Sequence, residues 1–271
     1  MISIVTPSYN QARFIEKTIR SILLQNYPNL EFIVIDGGSK DGSVEQIERY
    51  QDWITHWVSE KDRGQSDAIN KGFSLANGKI LAWLNTDDFL LPEALFRVAT
   101  TYATNRDPKI HAWVGAADKV DEHGRLIYQL NPADLTKESF YHWRNRQRPK
   151  GTGYFLQPAC FFTKEAWEVA GPLDLSLHYC MDVDLWLKMT SCFRFSPISE
   201  KLAVAVGHSQ AKTTTDKERT RAEIALVIAE HGGRQIAQLD LMQMIEDYIK
   251  LKKKRPLAMR LLHMVKKLLG S

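Results

Sequence analysis

Two carboxylates stand side by side in Asn85-Thr86-Asp87-Asp88, directly after the apolar run Ile80–Leu84. Adjacent negative charges at the end of a buried strand are partly desolvated, and they call for a cation or a set of hydrogen bonds. Oxygen ligands without nearby cysteines favour magnesium or manganese over zinc. Such an ion can bind a diphosphate and neutralise its charge as it leaves. The pair also suits a simpler role, Asp87 or Asp88 capping the helix that Pro92 opens. A second pair, Asp182 and Asp184, lies in Cys180-Met181-Asp182-Val183-Asp184-Leu185-Trp186. Residues two apart do not share a helical face, so one can cap the helix while the other points into a cleft as a base. Capping alone is the alternative. The loop Asp36–Ser43 combines glycines and carboxylates without a phosphate-loop or Gly-x-Gly-x-x-Gly pattern. A plain strand-to-helix turn with Ser43 as N-cap accounts for it equally well. His208 follows a strand in Gly207-His208-Ser209-Gln210, where a structural role is the default for a lone histidine. Arg63 and Lys71 can neutralise phosphates or simply face solvent.

The elements that must position these residues follow from hydropathy. Ile2–Thr6 predicts a buried strand broken by Pro7-Ser8-Tyr9-Asn10, then a helix with Ile15, Ile19, Ile22 and Leu23 on one face, stopped by Tyr27-Pro28. Leu30–Ile35 predicts a second strand, Val44–Tyr50 a helix, and His56–Ser59 a third strand. Ser66–Ala76 predicts a helix ended by Asn77-Gly78, and Ile80–Leu84 a fourth strand. Alternating strands and helices imply a doubly wound, mostly parallel sheet, whose ligand sits beyond the carboxyl ends of the strands. Pro7–Asn10, Asp36–Ser43, Ser59–Asp67 and Asn85–Asp88 all fall at those ends. After Lys109 the pattern changes. Trp113–Ala117 and Arg125–Leu130 predict strands joined at Glu122-His123-Gly124, Phe161–Phe162 and Leu202–Val206 short strands, and Val183–Met189 a helix. Everything beyond Thr213 reads as helix.

The 271 residues are 44% apolar and 25% charged, which suits a globular protein with ample core and excludes disorder, collagen and a disulfide miniprotein. No apolar run approaches the roughly 20 residues that span a bilayer. Ile2–Val5 starts a strand where a secretory leader would need a basic region and a cleavage site. Cys160, Cys180 and Cys192 fit neither a disulfide framework nor a zinc pattern, so a reducing cytoplasm is the expected compartment. The net charge of +4 hides an asymmetry: residues 250–271 hold eight Lys and Arg and no acid, leaving −4 on the other 249. A mildly acidic body is not a nucleic-acid-binding one.

Taken together the motifs resemble the inverting family 2 glycosyltransferases, which have the GT-A fold. The family's strand leading into Pro-x-Tyr-Asn appears as Ile4–Asn10, and its strand-two signature as Val34–Ser43. Ser59-Glu60-Lys61-Asp62-Arg63-Gly64 with Asp67–Gly72 looks like the stretch before the metal motif, and Leu84–Pro92 like the metal motif itself. Looser similarity runs through Gln157–Phe162, Gly171–Asp174, Asp182–Lys188 and His208, to about residue 212. The resemblance implies a Rossmann-like mixed sheet flanked by helices, in a domain over 1–212. Residues 1–108 would bind a nucleotide-sugar and 109–212 an acceptor, with 213–271 a helical extension. It also implies a transferase that moves a sugar, from a UDP-sugar by preference, to an acceptor hydroxyl with inversion. Pro7, Tyr9 and Asp36 would line the base pocket, Tyr9 stacking on the base, and Arg63 would lie near the phosphates. Asp87 and Asp88 would hold Mn2+ or Mg2+ on the diphosphate, His208 would lie beside them, and Asp182 would be the general base. Three departures stand out: Asn85 where the metal motif often begins with Asp, Gly37 in place of a second strand-two Asp, and Met181 in place of Glu. A catalytically inactive nucleotide-binding module in an assembly complex is the alternative. A sugar nucleotidyltransferase and a dinucleotide oxidoreductase both lack their glycine-rich loops here.

Beyond the domain, Leu257, Leu261, Met264, Val265 and Leu268 form one helical stripe opposite Arg260, His263 and Lys267. With Lys252–Arg255 upstream, residues 250–271 match a helix lying on an anionic membrane surface, which suits a lipid-linked glycan acceptor at the inner face of a bacterial cell membrane. Packing on the protein's own body is the alternative. Trp143 and Arg144, with Arg146 and Arg148, are candidates for stacking on an acceptor sugar and contacting phosphate.

Overall fold

The computed structural model describes residues 1–142, 155–209 and 216–250. Four parallel strands open the chain: β1 (Ile2–Ser8), β2 (Leu30–Asp36), β3 (His56–Ser59) and β4 (Ile80–Trp83). They are linked by α1 (Ile15–Leu23), α2 (Ser43–Glu48) and α3 (Gln65–Leu75). The chain continues through β5 (Phe89–Leu90), α4 (Ala94–Thr104), β6 (Ile110–Asp121), β7 (Leu126–Leu130) and α5 (Lys137–Phe140). It then forms β8 (Cys160–Thr163), α6 (Lys164–Ala170), α7 (Met181–Thr190), β9 (Arg194–Gly207) and α8 (Lys217–Glu230), with a last helix over residues 234–250.

The described strands make one nine-stranded sheet in the order β3-β2-β1-β4-β8-β6-β9-β5, with β7 beside β6. β3 to β4 pair in parallel, β8 joins β4 and β6 antiparallel, and β6 pairs β9 in parallel. The sheet is therefore mixed, parallel where βαβ crossovers build it and antiparallel where later strands return.

Strand side chains alternate between two cores, one on each face. Ile2, Ile4, Phe32, Val34, Ile80 and Ala82 pack with Ile15, Ile19 and Ile22 of α1 and with Leu95 and Val98 of α4. Val5, Ile33, Ile35, Leu81 and Trp83 face the other way, against α3, α6, α7 and α8. Both faces being covered, these strands read as unbroken apolar runs. The second core is rich in aromatics: Trp83 and Trp186 stack with centroids 5.4 Å apart and planes 14° apart, and Phe162 meets Phe73 at 5.8 Å. Large apolar side chains buried in this way stabilise by about 1.5–3 kcal/mol each. At Gly72 a Cβ would lie 2.3 Å from Val5 Cγ1, so α3 can approach β1 only because no side chain intervenes.

Some boundaries differ from those expected from the sequence. β6 runs well beyond Trp113–Ala117, because β8 and β7 successively occupy one of its edges while β9 pairs along the other. α4 starts at Ala94, behind Glu93 with φ of 66°, rather than at Pro92. The N-cap of α2 is Gly42, with φ of 96°, and not Ser43. The Ser43 hydroxyl instead accepts from the Gln11 amide and donates to Asp41. No helix among the described residues is long and apolar enough to cross a membrane.

Candidate functional site

A cleft of about 610 Å³ opens at the carboxyl ends of the parallel strands. Its walls combine the Pro7–Tyr9 segment, the loop after β3, Asn85–Asp88, Lys119 of β6, the end of β9 and the start of α7. Six of the sequence-derived candidates meet there: Pro7, Tyr9, Asp87, Asp88, Asp182 and His208.

The loop after β4 is held by α1 on one side and by the end of β9 on the other. The Thr18 hydroxyl of α1 lies 2.8 Å from the Thr86 carbonyl and 2.7 Å from that of Asp88. Asp88 Oδ1 accepts from the Val206 amide at 3.0 Å, and Asp87 Oδ2 lies 2.9 Å from His208 Nε2. The His208 ring rests on Phe14, with centroids 4.7 Å apart. Neither Asp87 nor Asp88 caps α4, whose N-cap has no side-chain hydrogen bond. Burial lifts the Asp88 carboxyl to about 8, the Asp87 charge pushes the same way, and Lys119 opposes both. Lys119 also donates to the Val206 carbonyl at 3.0 Å, so one β9 residue is gripped by both groups.

Asn85 acts here through its amide. Its oxygen accepts from Gln65 at 2.7 Å and its nitrogen faces Gln157 Oε1 at 3.3 Å, while Gln157 donates to the Trp83 carbonyl. This links α3, the end of β4 and the segment before β8, which an aspartate could not do with the same donors.

Tyr9 lines the cleft and is 61% exposed. Asn10, with φ of 52°, fixes the adjacent turn: its amide donates to Ser39, and its side-chain oxygen accepts from the Lys40 amide. Asp36 does not line the cleft. It is fully buried and accepts from the Ser8, Ser39 and Ser59 hydroxyls and from the Gly38 and Ser39 amides, so it organises the loop from beneath. Arg63 is also off the lining; it is largely exposed and pairs with Asp67 at 2.9 Å, a contact that holds the Asp67 carboxyl below its usual range. Lys71 pairs with Glu60 at 2.8 Å, outside the cleft. Over Gly37 the space a side chain would take is filled by Asp62, whose Oδ2 lies 2.7 Å from an ideal Cβ there. Asp62 itself lines the cleft.

The two acids of α7 part as their spacing requires. Asp182 lines the cleft, and its Oδ1 accepts from the Val183 amide. Asp184 turns inward to Lys188 at 2.7 Å and His231 at 2.8 Å. Neither is the N-cap residue of α7, which is Cys180 without a side-chain cap bond, although Asp182 takes up one first-turn amide, that of Val183. Trp143 and Arg144 lie outside the described residues, as do residues 251–271. The sequence offered no local signal for Lys119 or Tyr179, and marked Gln157 only as the start of a loosely similar segment; each reaches the cleft from a different element.

The family model described as Glycosyl transferase family 2 matches residues 3–168, more than half of the chain. The chain belongs to this family. Chondroitin synthase of Escherichia coli is 26% identical over 215 residues, covering 74% of this chain and 28% of that protein. The chain spans less than a third of the length of the first curated relatives it matches. S. aureus TarS 1–349, in complex with UDP-GlcNAc, superposes with a TM-score of 0.62 at 16% identity, over 85% of this chain and 66% of that one. The mannosyltransferase PcManGT from Pyrobaculum calidifontis, in complex with GDP-Man and Mn2+, gives 0.58 at 19%, over 87% and 64%. The fold of this glycosyl transferase family 2 member is thus GT-A-like, with a helical C-terminal segment.

Among the described residues no three His, Cys, Asp or Glu side chains converge as a metal cage. Magnesium and manganese need none when substrate phosphates complete their coordination. The donor chemistry fits such an ion: two carboxylates stand side by side, and the burial and mutual repulsion that raise the Asp88 pKa are what a bound cation would offset.

Proposed function

We propose that this chain transfers a sugar from a nucleotide-sugar, by preference a UDP-sugar, to an acceptor hydroxyl with inversion. The observation that carries the reading is that Tyr9, the Asp87–Asp88 pair and Asp182 share one cleft although they come from distant parts of the sequence. Tyr9 stacks on the base and Pro7 shapes the pocket floor. Asp36 acts indirectly, by fixing the loop against which the base rests. Arg63, between the lining residues Asp62 and Gly64, serves the phosphates from the edge of the wall. Asp88, Asp87 and His208 are the residues that would hold Mn2+ or Mg2+, which when bound neutralises the diphosphate.

Asp182 is the general base. Its carboxylate takes the proton of the acceptor hydroxyl while that oxygen forms the new bond to the anomeric carbon. The bond from that carbon to the diphosphate oxygen breaks on the opposite face, and its electron pair leaves with the nucleoside diphosphate. A single displacement of this kind inverts the anomeric centre.

The acceptor is a glycan or lipid-linked glycan in surface polysaccharide or glycolipid assembly, and it reaches the cleft from the half over 109–212, with Trp143 and Arg144 as contacts. Residues 213–271 form an extension whose basic tail, residues 250–271, rests on an anionic membrane at the cytoplasmic face. Exposed Leu239, Met242, Ile245 and Ile249, spaced along one side of the last helix just before the basic run, support that docking.

Nucleotide release from UDP-GlcNAc, UDP-glucose, UDP-galactose and GDP-mannose, with Mn2+ and without, tests the reading. One donor is expected to be consumed in a metal-dependent way, and Asp182→Asn to lose that turnover while still binding nucleotide. No turnover, and no thermal shift with any nucleotide, would overturn it.

A further inference from the structure

The N-cap residue of the helix that carries Asp182 supplies no cap. Cys180, at the N-cap of α7, makes no side-chain cap bond, so the amides at and before it need acceptors from elsewhere. Those acceptors come from a single carboxylate in α8. Glu223 Oε1 accepts from the Tyr179 amide at 2.6 Å and from the Cys180 amide at 3.0 Å, while Oε2 accepts from the His178 amide at 3.1 Å. Its negative charge sits at the N-terminal end of α7, where the helix dipole favours it.

We propose that Glu223 is a positioning residue for the base, clamping the backbone from which Asp182 enters the cleft. The inference rests on the role given to Asp182 above. Three features carry it beyond ordinary capping. The clamped stretch is itself cleft wall, contributing His178, Tyr179, Met181 and Asp182. A second tie from the same region acts on it, since the Tyr179 hydroxyl donates to Asp216 Oδ2 at 3.1 Å. And α8 cannot drift from α7, because Ile224, Ala225 and Ile228 are buried in the core that holds Val183 and Trp186. The C-terminal segment thereby reaches into the reaction site through hydrogen bonds to backbone, from outside the residues 3–168 that define the family match.

Removing Glu223 takes the acceptor from three backbone donors, two of them partly buried, and releases the turn before α7. A displacement of about 1 Å in a catalytic group costs roughly 100-fold in rate. Glu223→Ala is expected to lower kcat for donor turnover by about 10- to 100-fold, with donor KM and Mn2+-dependent nucleotide binding within about twofold of wild type. Amide exchange over residues 178–183 is expected to accelerate in the same variant. Glu223→Gln keeps an oxygen for the Tyr179 and Cys180 amides and is expected to restore most of kcat. Unchanged kcat or unchanged exchange in Glu223→Ala would overturn the positioning role. So would equal losses of kcat and nucleotide binding, since they would mark general disruption. A wild-type chain that turns over none of the four donors overturns the functional reading and this role together, whereas normal wild-type turnover with a silent Glu223→Ala overturns the role alone.

Discussion

His208 Nε2 and Asp87 Oδ2 lie 2.9 Å apart, joining residues 121 positions distant in the chain. The pair fastens the end of β9 to the loop after β4, and it orients the more exposed of the two adjacent carboxylates. An imidazole that braces a metal-binding carboxylate typically governs metal affinity by about 10- to 100-fold. His208→Ala is therefore expected to weaken Mn2+ binding by that factor, measured as loss of the Mn2+-dependent thermal shift with nucleotide. Retention of the full shift would remove His208 from the site.

The raised Asp88 pKa has a stability consequence of definite sign. Unfolded, the carboxyl ionises in the usual range; folded, it holds its proton up to about 8 because it is buried beside Asp87. Its protonated form is the one the fold prefers, so the associated stability is complete below the unfolded pKa and is lost as pH rises through the folded value. Asp88→Asn mimics the protonated form. Without divalent ions, the Tm advantage of Asp88→Asn over wild type is expected to grow between pH 4 and pH 8 and then level off. Added Mn2+ is expected to stabilise wild type and not the variant. A Tm difference that does not change with pH would refute this account.

Glu31 shows the opposite sign. Burial alone would raise its pKa, but hydrogen bonds from the Ser3 hydroxyl and the Asn77 amide and side chain outweigh that and lower it. Ser3 in turn accepts from the Gly78 amide at 2.8 Å, so the carboxylate ties β1 and β2 to the turn that follows α3. Its contribution is present above the unfolded pKa and is lost as pH falls through the folded one. Glu31→Gln is expected to cost about 1–3 kcal/mol near neutral pH, with the gap to wild type closing in acid. Denaturant titrations at pH 7 and pH 3 measure both limbs.

Removal of residues 250–271 is expected to abolish co-sedimentation with anionic liposomes while leaving nucleotide binding intact. The apolar residues Leu239, Met242, Ile245 and Ile249 would remain on the last helix, but without eight basic groups the attraction of roughly 1 kcal/mol per charge is gone. Binding that survives the deletion would exclude the basic run as the docking element.

The chemistry written in contiguous residues was legible from the sequence. Asn85–Asp88 follows buried β4 directly, and Pro7–Asn10 closes β1, which continues through Pro7 and Ser8 where the sequence predicted a break; a βαβ chain must bring such strand ends to one edge of its sheet. Which side chains face the ligand was a matter of packing. Asp36 belongs to an equally clear motif, yet five hydrogen bonds turn it inward and leave the wall to Asp62. Asp182 and Asp184 have the same chemistry two positions apart; Lys188 and His231 draw one into an ion-paired cluster, and the other is left on the cleft side. Lys119 and Glu223 carry no local signature, because each acts on residues tens of positions away through contacts that exist only once strand register and helix packing are set. Local spacing determines where a chain can turn and which groups it offers there. Direction, partner and charge state arise from burial against distant residues, and those belong to the tertiary structure.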